Sequence, residues 1–183
     1  MRLAALVPLA VAAVLASARP AAAQSPNVAF AGKVMLSDHR FPGSAKSPGA
    51  YTAAIRKQSK SQFFEDKESH TWKIYFAGFL TKPLDDVEYV VKLYELQGRT
   101  QQLLVSFEQY ADQRGEKTIL SNMTLDKKQV GVNKQLLITM ESKGHILASS
   151  YFKILGEGEK FSGKVNFSEE DADGKKKDDD DGN

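Results

Sequence analysis

The chain has no cysteine among its 183 residues. That excludes a disulfide framework, a lipid-modified cysteine behind a leader, thiolate metal sites and thiol nucleophiles. There is one tryptophan and only three histidines. His39, His70 and His145 each sit in a polar stretch of turn character, and no two stand at the i, i+4 spacing that presents two imidazoles to one metal. No Gly-x-Ser-x-Gly elbow occurs, and the strand-to-helix turn such an elbow needs is not indicated. Past the first two dozen residues there is no long apolar run, so nothing else approaches the roughly 20 apolar residues of a membrane span. Neither a cofactor motif nor a metal motif is present, and the chain reads as a non-enzyme.

What is there begins with a leader. Arg2 supplies a positive end, residues 3–15 are almost wholly apolar, Arg19-Pro20 breaks the run, and Ala21-Ala22-Ala23 offers a small-x-small cleavage site. This is the anatomy of a secretory signal peptide over 1–23. The expected product is periplasmic or secreted, and export without cysteine fits a bacterial envelope. Charge then divides the remainder. The sequence holds 25 basic and 23 acidic residues, and Arg2 and Arg19 belong to the leader. Residues 169–183 carry eight acids against three lysines, which leaves 24–168 with 20 basic and 15 acidic residues. The organisation expected is one domain over 24–168 followed by an unfolded, charged tail over 169–183. Within that tail Glu169, Asp171, Asp173, Gly174 and Asp180 match positions of a calcium loop, but three lysines interrupt the template and no helix flanks it.

Period-two alternation dominates the body. Trp72, Ile74, Phe76, Gly78 and Leu80 share one face, and a strand of this kind buries that face. Residues 87–96 and 101–110 follow behind short polar turns, the latter with Leu103, Val105 and Phe107 on one side. The three read as an antiparallel meander, the centre of the fold. A first strand is expected over 28–36, another from 62, and one over 117–125 carrying Ile119, Met123 and Leu125. A hairpin turning at Lys143-Gly144 is expected over 135–155, and an edge strand over 163–167. Residues 51–57 read either as one or two helical turns or as a short strand. With about seven to nine strands and no convincing amphipathic helix, the expected class is all-β, an antiparallel immunoglobulin-like sandwich. An up-and-down barrel with an internal ligand cavity is the alternative.

Candidate functional residues come from one segment. Arg40, Lys46, Arg56, Lys57 and Lys60 carry five positive charges with no acid between Asp38 and Glu65, and Tyr51 is interleaved. Such a surface suits a glycan, another anionic surface or a protein partner; nucleic acid fits poorly with export and a near-neutral processed chain. Glu88, Glu95, Glu108 and Glu141 lie on expected strands, where the polar face accounts for them without an acid–base pair. Asn122-Met123-Thr124 and Asn166-Phe167-Ser168 match the glycosylation sequon by chance, inside expected strands. The function expected is a binding or interaction module of the envelope. A barrel carrier of an apolar ligand and a hydrolase with paired carboxylates are the alternatives.

Overall fold

A computed structural model describes residues 24–157; the expected leader, the strand over 163–167 and the charged tail lie outside the described residues. In chain order the elements are α1 (Pro26–Ala29), β1 (Lys33–Ser37), α2 (Pro48–Gln58), β2 (Gln62–Glu65), β3 (Thr71–Phe79), β4 (Glu88–Gln97), β5 (Thr100–Tyr110), β6 (Thr118–Asp126), α3 (Lys127–Val130), β7 (Lys134–Ser142) and β8 (His145–Glu157). The class is β-dominated, as the alternation implies. The strands form one curled sheet, a half-barrel ordered β5-β4-β7-β8-β1-β3-β6, with β2 added to the free edge of β8. One continuous ladder replaces the two stacked sheets expected of an immunoglobulin-like sandwich, and the sheet is mixed, because β1 and β2 both run parallel to β8. At the open side, Gln109 of β5 accepts hydrogen bonds from Tyr89 Oη and from Ser121 Oγ of β6, each at 2.8 Å, so the two end strands lean together.

The expected meander is broken. β4 and β5 do form a hairpin about Gly98, which has φ +63°. β3, however, lies between β1 and β6, while β4 lies between β5 and β7. Residues 80–87 therefore cross from one wing to the other, held by Leu84 N–H to Glu116 O and Thr81 N–H to Leu147 O, both 3.0 Å. Two apolar runs close in sequence can each find a partner elsewhere, and alternation carries no information about which partner that is. The β7–β8 hairpin stands as read. Lys143 and Gly144 both have positive φ, as a two-residue reversal matched to strand twist requires.

Alternation also misses a bulge. Val105 faces Leu93 and Leu103 faces Tyr94, so Leu104 is the extra residue. The extra residue turns Leu103 outward, half exposed, and lets Leu104 pack on the core with Val105 and Phe107.

The concave side is filled by Trp72, Ile74, Phe76, Leu93, Ile138, Met140 and Phe152, all nearly inaccessible. α3 closes one end: Asp126 caps it by accepting from Lys128 N–H at 2.7 Å, and Val130 is buried. A second, smaller core lies on the other face of β3, where Phe30, Phe41 and Ile55 cover Ala77 and Phe79. Here one expectation is corrected, and the open choice over 51–57 is resolved as helix. Residues 26–29 form a helical turn, so the first strand starts at Lys33, not at 28. Residues 48–58 form a three-turn helix: Ser47 accepts from Ala50 N–H at 3.2 Å, Pro48 opens the first turn, and Arg56 and Lys57 sit at its negative end. No helix among the described residues is long and apolar enough to cross a membrane.

Candidate functional site

The sheet has a gap beside β2. β8 pairs with β1 only at Ser149 and with β2 from Lys153 onward. β3 pairs with β1 over residues 75–79, which leaves its first residues without a ladder on that side. β2 and β3 meet at the turn over 66–70 and diverge from it, tied there by Asp66 N–H to Thr71 O at 2.9 Å. Between them opens a cleft of about 540 Å³, walled by Lys60, Gln62, Phe64 and Lys73 and floored by Phe63 and Trp72. The floor is fixed, because Trp72 Nε1–H donates to Leu155 O at 3.0 Å. Phe64 stands 58% exposed on the wall.

A second cleft, of about 310 Å³, adjoins the first on the outer face of β3 and β6. Arg40, Tyr75, Leu120 and Asn122 line it, and Lys73 borders both. The Lys73 ammonium lies 5.6 Å from the centre of the Tyr75 ring, a cation–π distance. Arg40 is delivered by the loop before α2, whose chain is held down by Gln58 Nε2 donating to Arg40 O at 2.8 Å. Three cations thus face one acid. Asp38 binds Lys60 through Oδ2 and the His39 ring through Oδ1. Partial burial pushes its carboxyl up, and the Lys60 and His39 hydrogen bonds outweigh that, leaving it below the usual carboxylate range.

The structure brings together only part of the segment singled out by charge. Arg40 and Lys60 reach the clefts. Tyr51 is half-buried against the second core, and the Arg56 guanidinium lies 5.6 Å over the Phe30 ring. Lys46 and Lys57 are exposed but line neither cleft. Lys73 was missed: a single lysine on the polar side of a strand reads as solvated, and only the tertiary neighbours reveal its place.

The three buried carboxylates are each engaged by a lysine. Glu65 takes Lys127 Nζ at 3.0 Å and His70 Nδ1 at 2.9 Å; Glu95 takes Lys134 at 2.7 Å; Glu141 takes Lys92 at 2.6 Å and Thr139 Oγ1 at 2.8 Å. The Lys134 hydrogen bond holds the Glu95 carboxyl low, and the Glu141 hydrogen bond raises the Lys92 ammonium. Glu95 pairs with inward-facing Leu136 while Glu141 pairs with Val90 on the outer face, so these two do not converge. Among the described residues no group of three histidine or carboxylate side chains could hold a metal ion. No protein-family model and no curated protein matches the chain, so the geometry alone carries the functional argument.

Proposed function

We propose that this chain is an exported, non-enzymatic binding module of the cell envelope, and that its ligand is an anionic glycan chain lying across the two adjoining clefts. The observation that carries the reading is Lys73, shared by both clefts, with Arg40 on one side, Lys60 on the other and the rings of Tyr75 and Phe64 alongside. Cations beside the exposed Phe64 ring and the half-buried Tyr75 ring suit a polymer that alternates acidic groups with the apolar faces of sugars. Two adjoining clefts suit a repeating chain better than a single small molecule. The interior supports binding over carriage of an apolar cargo, because the concave face is occupied by Trp72, Phe76 and Phe152. The reading needs a rigid all-β scaffold, as an immunoglobulin-like sandwich would also supply, and does not depend on two stacked sheets.

Titration of residues 24–183 with dextran sulfate, against neutral dextran, tests it. Arg40→Glu with Lys73→Glu is expected to weaken binding at least about tenfold and to flatten its salt dependence, because exposed charges are screened over about 8–10 Å at ordinary ionic strength. Lys46→Glu with Lys57→Glu, which changes the net charge by the same four units outside the clefts, is expected to change affinity by less than about twofold. Equal losses from both variants would reduce the effect to net charge and sink the site.

A further inference from the structure

The chain carries an anion of its own that fits the same clefts. β8 ends at Glu157, which pairs with Glu65 at the end of β2. The chain therefore leaves the sheet beside the strand that walls the larger cleft. Gln62 and Phe64 stand one to three residues back along β2, within about 10 Å of that exit at 3.3 Å per residue. Beyond Glu157 the sequence runs 26 more residues to Asn183. Glu169, Glu170, Asp171 and Asp173 come first among its dense acids. Lys175, Lys176 and Lys177 are answered by Asp178, Asp179, Asp180 and Asp181 next to them, so the 169–173 block is the one without local compensation.

We infer that residues 169–173 dock on Arg40, Lys60 and Lys73 and compete with the anionic ligand, an intramolecular stand-in that sets how strong an outside ligand must be. The inference rests on the proposed anionic site and deepens it. Charge complementarity is direct, four acids against a cleft surface of three cations and Asp38. Reach is sufficient. The twelve residues from 157 to 169 extend to about 40 Å at most, well beyond the ~10 Å from the exit to Gln62. A tether of that length gives an effective concentration on the order of millimolar, enough for a weak polyanion contact to hold the cleft part of the time. A free ligand then meets a partly occupied site, and its apparent affinity falls by the occupied share.

The test compares residues 24–183 with the same chain carrying Glu169→Gln, Glu170→Gln, Asp171→Asn and Asp173→Asn. Backbone amide resonances of residues 59–64, 72 and 73 are expected to differ between the two at low salt and to converge at about 0.5 M NaCl, where exposed charges are screened within a few ångströms. Dextran sulfate is expected to bind the neutralised chain about three- to tenfold more tightly. Identical cleft resonances at low salt overturn the contact, and so does unchanged affinity while Arg40→Glu with Lys73→Glu still weakens binding. If instead the cleft resonances shift but Arg40→Glu with Lys73→Glu leaves dextran sulfate binding intact, the intramolecular contact stands and the glycan reading falls.

Discussion

Glu65 shows how single residues hold the closed end of the half-barrel. Its side chain has no exposed surface, yet it has two hydrogen-bonding partners, Lys127 from α3 and His70 from the turn below β3. The Lys127 hydrogen bonds pull its carboxyl below the ordinary value of 4.5, burial pushes the other way, and the His70 hydrogen bond adds to the lowering. A carboxylate whose pKa is depressed in the folded state stabilises the fold above its unfolded value. That contribution is lost as pH falls through the folded value. Stability measured by denaturant unfolding should therefore decline as pH drops below about 5. Glu65→Gln should flatten that decline while lowering stability at neutral pH. An unchanged acid slope in Glu65→Gln would remove this pair from the account. Neither Glu65 nor Lys127 is marked by any sequence motif, since 62 residues separate them and charge pairing across such a distance is decided by the fold.

At the scale of the element, β3 is the axis, buried on both faces along its second half. Gly78 faces the filled side, and a Cβ there would come within 2.8 Å of Met140 Cε and closer still to its Sδ. Gly78→Ala forces Met140 out of its place in an interior with little spare room. The expected cost is about 1–3 kcal/mol by denaturant unfolding, the range for overpacking a core. Met140→Ala should make room, so the double variant should be less destabilised than the two single costs added; strict additivity would show that the two positions do not meet. Strands of this kind are legible because alternation of Trp72, Ile74 and Phe76 reports a half-buried pleat directly. The helix over 48–58 is not, because only Thr52 and Ile55 are buried, Tyr51 is half-buried, and the other positions are proline, glycine, alanine, glutamine and charge, which show no apolar stripe. Leu104 escaped for a different reason: a bulge shifts the alternation by one residue without any change in composition. The same limits apply to the site. Arg40 and Lys60 stood out in a run of basic residues, whereas Lys73 acquires its meaning only from the gap that β2 leaves beside β3.

For the molecule as a whole, the weak point is the seam between its wings. β4, β5, β7 and β8 form one wing through long antiparallel ladders, and β1, β3 and β6 form the other. The paired register between β1 and β8 is a single position, Lys33 opposite Ser149. Gly32 stands at that joint and serves both sides: its N–H donates to Phe79 O at 2.7 Å, and its O accepts from Ser149 N–H at 3.0 Å. It does so at φ +74°, with a Cβ there only 3.0 Å from Thr81 Cγ2. A side chain at this position meets a left-handed backbone, which costs about 1–2 kcal/mol, together with a tight neighbour in the crossover. Gly32→Ala is therefore expected to lower global stability by roughly that amount. Its sharper signature is local. Amide exchange at Ser149 and over residues 33–37 should accelerate well before exchange in β4 and β7, because opening the seam frees one wing without dismantling the other. The cleft bearing Lys73 lies along this seam, so the same variant should also loosen the wall that holds Lys60 opposite Lys73. Uniform acceleration across all eight strands would instead mean that the sheet opens as a single unit and that the joint has no separate stability.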